Sequence, residues 1–463
     1  MSLFNFLRCG LSPLIAAALA STSMFAGAQT QAYRNEVPAA LVKKASAMVD
    51  ADAQRLVEIF KDIHQNPELG FMENRTAALV AKELVSLGYD VKTGIGQTGV
   101  VGILRNGPGP TLMFRADMDA NAVAETTGLP YASKVKVKQA SGAEVPVAHL
   151  CGHDAHVTWL LSIAKNMAQL KAEWAGTLVL VAQPAEELIQ GAKAMVDDGL
   201  YTKLGVPKPD YLLGMHTAPF PTGLVAFRPG DTQAGTDQLD VTFHGIGGHG
   251  SSPHVAKDPV LMAAAAVVQY QFIISRAIDP QHAAVITVGS IQAGAENNTI
   301  PDKALLKINL RWYAEEDRKL MLAGIERINQ SIAYAYGLPE NLKPTTVLKG
   351  GSKVLSNDPQ MAKDVQPVLR SLLGEQAVIP ELPKVMGSED FHHLVIDNEK
   401  HQYLYMVVGT AKPEHVKKAL ADGKQVPYSN HNSDYQVDLD AIPIGAKVGT
   451  VTALQFLAQG KSK

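Results

Sequence analysis

One short segment of the sequence concentrates side chains that bind transition metals. It reads His149-Leu150-Cys151-Gly152-His153-Asp154-Ala155-His156. A thiolate and an imidazole two residues apart can bind the same soft or borderline metal ion. An isolated cysteine is more often buried and inert, which is the alternative for Cys151. The neighbouring His153 favours the interpretation that Cys151 and His153 are both ligands.

A pair of adjacent glutamates forms the second candidate group, in Gln183-Pro184-Ala185-Glu186-Glu187. Neighbouring side chains point to opposite faces of a strand. In a tight loop, however, one carboxylate can bind a metal while the other faces the substrate water. We therefore interpret Glu187 as a ligand and Glu186 as the general base. The alternative is a solvated acidic pair at a helix start, where the helix dipole favours glutamate.

Two further histidines, His216 and His431, stand in short polar turns. Taken singly, His216 could be an ordinary strand-end histidine and His431 a surface histidine. Together with the residues above they complete a candidate ligand set of Cys151, His153, Glu187, His216 and His431. This set is larger than one tetrahedral site needs, so we expect two divalent ions per subunit, Zn, Mn, Co or Ni, bridged by water.

The elements that position these residues alternate between strand and helix, which predicts an α/β fold with a mostly parallel sheet. Ligands gather beyond the carboxyl ends of strands in such sheets. Asp117, Glu186, Glu187 and His216 all follow predicted strands. The pattern predicts helices at 51–65, 75–87, 157–170 and 191–198, and strands at 100–104, 111–114, 177–182 and 211–215.

The pattern changes near residue 238 and predicts a second, inserted domain. Its elements follow the order βαββαβ, typical of a compact two-layer unit. They lie at 239–245, 259–278, 284–292, 304–313, 315–336 and 345–349. We predict a catalytic domain over 29–232 and 352–463, and an inserted domain over 233–351.

The first 28 residues have the features of a secretory signal peptide. One positive charge, Arg8, precedes an apolar, alanine-rich stretch, and Ala26-Gly27-Ala28 offers a cleavage site. The stretch is short for a membrane span, although an uncleaved anchor is the alternative. We therefore expect a periplasmic or secreted protein without a membrane segment after cleavage. The net charge of -3 and the lack of dense Lys/Arg runs argue against nucleic-acid partners.

Several motifs recur in order and resemble the peptidase M20 family, in particular its amidohydrolase subfamily of hippurate hydrolases, indole-acetyl-amino-acid hydrolases and aminoacylase-like enzymes. They include Arg115-Ala116-Asp117-Met118-Asp119-Ala120, the Cys151 and Glu186 segments, Gly247-Gly248-His249, Asn298-Thr299-Ile300-Pro301-Asp302 and Gly387-Ser388-Glu389-Asp390-Phe391. His64-x-x-Pro67-Glu68 and Pro253-His254 match as well.

The resemblance implies roles for individual residues. Cys151, His153, Glu187, His216 and His431 would hold the metals, and Glu186 would be the acid and base. Asp117 would hold a ligand residue in position without binding the metal itself. The inserted domain would be a lid through which the chain forms a homodimer. His249 would stabilise the oxyanion across that dimer, and Asn298 and Arg311 would hold the substrate carboxylate. A surface arginine at a strand edge is the alternative for Arg311.

The chain departs from the subfamily pattern at Asn121-Ala122, where Leu-Pro is usual. The change places a polar amide near the predicted site and removes a turn-fixing proline. We therefore assign Asn121 to substrate binding and expect either an altered acyl preference or a more mobile loop.

The leading functional hypothesis is a metal-dependent hydrolase of N-acyl or N-aroyl amino acids. A dipeptidase or carboxypeptidase with the same cluster is the near alternative. An exported binding protein without catalysis is the third, but a base beside the ligands would serve no purpose there.

Overall fold

The computed structural model describes residues 36–138, 142–395 and 402–458. The predicted signal peptide lies outside these residues. The helices are, in chain order, α1 (Ala39–Gln65), α2 (Asn74–Ser86), α3 (His153–Gln169), α4 (Gly191–Asp197), α5 (Pro259–Arg276), α6 (Glu315–Ala335), α7 (Pro359–Asp364), α8 (Gln366–Leu373), α9 (Pro413–Ala421) and α10 (Ala441–Leu457).

The strands are, in chain order, β1 (Asp90–Ile95), β2 (Gly99–Asn106), β3 (Thr111–Asp117), β4 (Lys136–Lys138), β5 (Glu144–Pro146), β6 (Gly176–Gln183), β7 (Tyr211–Pro221), β8 (Val225–Ala226), β9 (Gly230–Gln233), β10 (Gly235–His244), β11 (Gly248–His249), β12 (Val285–Ala293), β13 (Thr299–Ile300), β14 (Lys303–Trp312), β15 (Thr345–Ser352), β16 (Leu355–Asn357), β17 (Val378–Ile379) and β18 (Tyr403–Ala411).

An eight-stranded sheet in the order β1-β2-β6-β3-β7-β18-β8-β17 carries the predicted ligands. Its centre, β6-β3-β7-β18, is parallel. Both faces are covered, which explains the near-continuous apolar runs of these strands. In β6, Leu178 and Leu180 join the core formed with α1, α3 and α10, whereas Val179 and Val181 join the core formed with α4. The predicted α/β class is confirmed.

A second sheet, in the order β12-β14-β10-β15, is antiparallel throughout. Strand β14 alternates buried and less buried residues, as expected for a sheet with one covered face. Helices α5 and α6 cover that face through Met262, Tyr270, Met321 and Ile325. Along the chain the main elements follow the order β10-α5-β12-β14-α6-β15. We call this unit the lid layer.

By length and composition α5 could cross a membrane. Its residues Met262, Ala263, Ala266, Tyr270 and Ile273 are buried in the lid layer. Packing within that layer therefore accounts for part of its apolar composition.

The structure differs from the sequence-based elements at several points. Helix α3 begins at His153 rather than residue 157. Helix α1 begins at Ala39 rather than residue 51, because Leu41, Val42 and Ala45 extend its buried face. Strand β7 continues to Pro221, so His216 lies within the strand rather than after it. Strand β18 and helix α10, both central to the main core, were not predicted, since their nearly unbroken apolar runs show no clear period.

Candidate metal centre

The main chain at Gly152 brings the two ligands of the Cys151 segment together. Gly152 has φ 86° and directly precedes His153, the first residue of α3. A Cβ at this position would lie 2.4 Å from Thr217 Oγ1. That hydroxyl donates to the carbonyl oxygen of Cys151 at 2.8 Å and fastens the turn to β7. Only glycine fits both the backbone angle and the close approach.

All five predicted ligands meet in one group. Cys151 Sγ lies 3.4 Å from His216 Nε2 and 3.3 Å from His431 Nε2. Glu187 Oε1 lies 3.1 Å from His431 Nε2 and 3.9 Å from His153 Nε2. Such spacings suit atoms that share ions at about 2.0–2.3 Å from each ligand atom. His431 reaches the group from a turn in which its own φ is 68°.

The hydrogen bonds of two histidines leave the same ring nitrogen available to an ion. His153 Nδ1 donates to the carbonyl oxygen of Asp119 at 2.8 Å, and His216 Nδ1 donates to that of Thr217 at 2.7 Å. His153 Nε2 is buried and has no hydrogen-bond partner among the described residues, and the neighbours of the buried Glu187 Oε1 include the ring nitrogens of His431 and His153. A divalent cation would satisfy both atoms, so the residues present fit the metals that the sequence predicts.

Electrostatics keep the two anionic ligands charged. Burial and Glu187 raise the pKa of the Cys151 thiol, but His216 and His153 outweigh them and lower it to about 6. Burial also raises the pKa of Glu187, yet His431 and His153 bring it down to about 2. Because thiolate and carboxylate are the forms that bind metals, both ligands are ready at neutral pH.

His156 belongs to the same sequence run and lies close to His153 and His216. It is nevertheless not a ligand, because both ring nitrogens are used. Nδ1 donates to Asp117 Oδ1 at 2.5 Å, and Nε2 accepts from the amide of Thr217 at 2.8 Å. Burial lowers its pKa to about 3, so the ring is neutral. Its role is to hold Asp117 and β7 in place.

Asp117 lies at the end of β3 with its Oδ2 atom 3.7 Å from His153 Nε2 and 2.6 Å from Arg115 Nη1. Burial raises its pKa, but Arg115 and His153 hold it well below the usual range. The residue that supports the ligands directly is Asp119, which was not predicted. Its carbonyl oxygen accepts from His153, and its Oδ2 atom accepts from the amide of Glu187 at 3.0 Å.

The Glu186-Glu187 pair lies in a tight, buried turn between β6 and α4. Ala185 and Ile189 have φ angles of 50° and 54°, and α4 begins only at Gly191. The alternative of a solvated pair at a helix start is therefore wrong. Glu186 Oε2 lies 3.8 Å from His153 Nε2. Burial, Glu389 and Glu187 raise its pKa well above the usual range.

A buried arginine connects this turn with distant parts of the chain. Arg115 donates to Gln183, Asp117, Glu389 and Asp390 over 2.6 to 3.3 Å. Gln183 in turn donates to Asp390 at 2.7 Å. The carboxylates of Glu186, Glu389 and Asp390 lie together, but those of Glu389 and Asp390 are taken up by these donors and by main-chain amides. The group is therefore a charge network beneath the site.

The predicted substrate-binding residues fall into two sets. Arg311 of β14 donates to Ser388 Oγ at 2.5 Å and to Asn309 Oδ1 at 2.6 Å. Burial lowers the pKa of Arg311, whereas the negative charge of Glu186 acts to raise it. Asn121 lies near Glu187 and helps to lower the pKa of that carboxylate. Both therefore lie at the candidate centre.

His249 and Asn298 are exposed on the lid layer. His249 Nδ1 accepts from the amide of Ser251 at 3.1 Å, so the neutral ring carries its proton on Nε2. The carbonyl oxygen of Asn298 accepts from the amide of Gly250 at 2.7 Å. Within the ranges that the structure describes, neither side chain contacts a ligand residue of the same chain.

Comparison with known proteins places the chain in a family. The family model of peptidase family M20/M25/M40 matches residues 113–454. A hippurate hydrolase of Campylobacter jejuni is 38% identical over 75% of this chain and 89% of its own length. Thermostable carboxypeptidase 2 of Saccharolobus solfataricus is 34% identical over 90% of this chain and 99% of its own length.

A solved structure agrees with this placement. The crystal structure of a putative aminohydrolase from methicillin-resistant Staphylococcus aureus superimposes with a TM-score of 0.73 at 28% identity. The match covers 90% of this chain and 99% of that one. The chain belongs to peptidase family M20. It is a metal-dependent hydrolase of the amidohydrolase and peptidase type.

Proposed function

We propose that this protein hydrolyses the amide bond of N-acyl or N-aroyl amino acids and releases a carboxylic acid and an amino acid. The observation that carries the proposal is the division of the glutamate pair. Glu187 lies against the ligand His431, whereas the buried Glu186 lies beside His153 and near Glu389. This arrangement supports the proposal that Glu187 binds an ion and Glu186 moves a proton.

The proposed ligands are Cys151, His153, Glu187, His216 and His431, and the number of donors supports two ions per subunit. Bound divalent ions polarise the amide carbonyl and make water nucleophilic at neutral pH. The mixed sulfur, nitrogen and oxygen donors are compatible with Zn, Mn, Co or Ni.

Glu186 is the proposed general base. It accepts a proton from the attacking water and returns it to the nitrogen of the leaving amine. Its raised pKa suits both steps, because the carboxylate is then a stronger base than an exposed glutamate and its acid form can return the proton to the amine. The low exposure of its side chain, 8%, keeps bulk water from competing for the proton.

Arg311 is the proposed anchor for the free carboxylate of the substrate. Among the described residues it forms no ion pair, and its partners Ser388 and Asn309 are neutral. A half-buried guanidinium with only neutral partners retains the capacity to bind a carboxylate with two parallel hydrogen bonds. This requirement favours substrates whose amino acid half ends in a free carboxylate.

His249 and Asn298 are proposed to act on the centre of a second subunit, because neither contacts the centre of its own chain within the described residues. The Nε2 proton of His249 would then stabilise the developing oxyanion. Exposed apolar residues of α5, Leu261, Val268 and Phe272, offer a surface for a homodimer through the lid layer. The N-terminal sequence supports export to the periplasm or the exterior.

The test is release of free amino acid from a panel of N-acyl amino acids, N-aroyl amino acids and dipeptides. The protein is first treated with a chelator and then supplied with Zn, Mn, Co or Ni. Metal-restored release from the acyl substrates is expected. Release from dipeptides alone would favour a peptidase, an alternative that the similarity to a carboxypeptidase supports. No release with any metal would refute the proposal.

A further inference from the structure

Two asparagine side chains lie against the two anionic ligands without belonging to the ligand set. The side chain of Asn121 lies close enough to the carboxylate of Glu187 to lower the pKa of that group. The amide nitrogen of Asn430 lies 3.6 Å from Cys151 Sγ and 3.4 Å from the carbonyl oxygen of the same residue. The carboxylate and the thiolate thus each have one neutral amide as a neighbour.

Both asparagines stand on backbone that is fastened to the segment carrying Cys151. Asn121 exchanges main-chain hydrogen bonds with Ala148, of 3.0 and 3.1 Å. The residue after Asn430 is His431, whose amide donates to the carbonyl oxygen of Leu150 at 2.7 Å. The backbone that carries each amide is therefore paired with the segment that carries Cys151.

An amide donor is well suited to orient such a ligand. A carboxylate and a thiolate have several lone pairs, so one hydrogen bond fixes the side chain while other lone pairs stay available to an ion. A neutral donor also adds no charge to a region that already contains Asp117, Glu186, Glu187 and Cys151. An apolar side chain of similar size would leave the ligand free to turn.

We propose that Asn121 and Asn430 are positioning residues, one for the Glu187 carboxylate and one for the Cys151 thiolate, and that they set the affinity and the preference of the centre for harder or softer ions. The inference rests on the ligand roles assigned to Glu187 and Cys151 in the proposed function. It does not depend on which substrate is cleaved.

The experiment measures ion binding to the metal-free full chain in the absence of substrate. Zn²⁺ and Mn²⁺ are titrated against a chromophoric chelator for the wild type, Asn121→Leu and Asn430→Leu. Loss of a residue that orients a ligand typically costs about 10- to 100-fold in affinity. Because oxygen ligands suit Mn²⁺ and sulfur ligands suit Zn²⁺, we expect N121L to weaken Mn²⁺ more and N430L to weaken Zn²⁺ more.

The matched control is Asn106→Leu. Asn106 is similarly half-buried, and its amide donates to the carbonyl oxygens of Lys171 and Trp174 at 2.8 and 2.6 Å in another part of the fold. Asn121→Ala and Asn430→Ala serve as smaller variants in case leucine does not fit.

The opposite shifts of the Mn²⁺ to Zn²⁺ affinity ratio would support the proposal. Affinities equal to those of N106L, or a ratio that stays constant in all variants, would overturn it. A wild type that binds neither ion would overturn it as well. Tight ion binding without amide hydrolysis would instead contradict only the proposed function.

Discussion

Replacement of Arg115 by methionine should be among the most damaging single changes in the main sheet. The Arg115 side chain is 1% exposed and is paired with the buried carboxylates of Asp117, Glu389 and Asp390. Methionine has a similar length but no charge, so three carboxylates would lose their shared counter-ion. Breaking a buried ion pair in this way typically costs about 3–5 kcal/mol of unfolding free energy.

The assay is urea unfolding of the metal-free protein near neutral pH, which keeps bound ions from masking the loss. Arg105→Met is the control, because Arg105 is 57% exposed and lies 3.8 Å from Asp90. An exposed pair of this kind is worth about 0–1 kcal/mol. The double variant Arg115→Met with Glu389→Gln removes one of the abandoned charges and should recover about 1–3 kcal/mol of the loss.

This reasoning would be refuted if R115M cost no more than R105M. It would also be refuted if Glu389→Gln added its full cost to R115M, because the two residues would then not be coupled.

Further expectations concern pH, ligand identity and assembly. Burial lowers the pKa of His64, but Asp154 and Glu125 outweigh it and raise the pKa from 6.5 to about 9. The free energy of unfolding gained from these two carboxylates is therefore fully present below pH 6.5 and is lost as the pH rises through 9. His64→Gln should remove this pH dependence, about 3 kcal/mol, from urea unfolding curves. His156→Asn should keep the metal content measured by elemental analysis, whereas His153→Asn should lose it; equal losses would make His156 a ligand. Val268→Glu with Phe272→Glu, at side chains 61% and 57% exposed, should give monomers by light scattering if α5 forms the dimer interface; a wild type that is itself monomeric would exclude that interface.

The elements that could be predicted from sequence are those with a clear period. The lid layer follows its predicted order because β10 and β14 alternate and α6 is amphipathic. Helix α10 is apolar on nearly all sides, so no face of it identifies a helix. Strand β18 is similarly buried and lies far along the chain from β7, its parallel partner. Such pairings follow from the tertiary fold and not from local pattern.

The metal ligands could be predicted from residue type and spacing, but the residues that hold them in position could not. Arg115 and Glu389 are separated by 274 positions, and nothing local indicates that they pair. Asp119 follows β3 closely, yet its bonds to His153 and Glu187 depend on where the fold places α3 and the turn after β6. His156 could have been noticed, since it lies three positions after His153 at a helix start and shares a face with it. Only its hydrogen bonds reveal that both of its nitrogens are occupied.

The most direct test of the central claim, a metal centre with Glu186 as the base, compares Glu186→Gln with its neighbour Glu187→Gln. Metal content and turnover of an accepted N-acyl amino acid are measured on the same samples. We expect E186Q to keep its metal and lose turnover by a factor of about 10² to 10⁴, and E187Q to lose both. Metal-loaded E186Q with wild-type turnover would contradict the account.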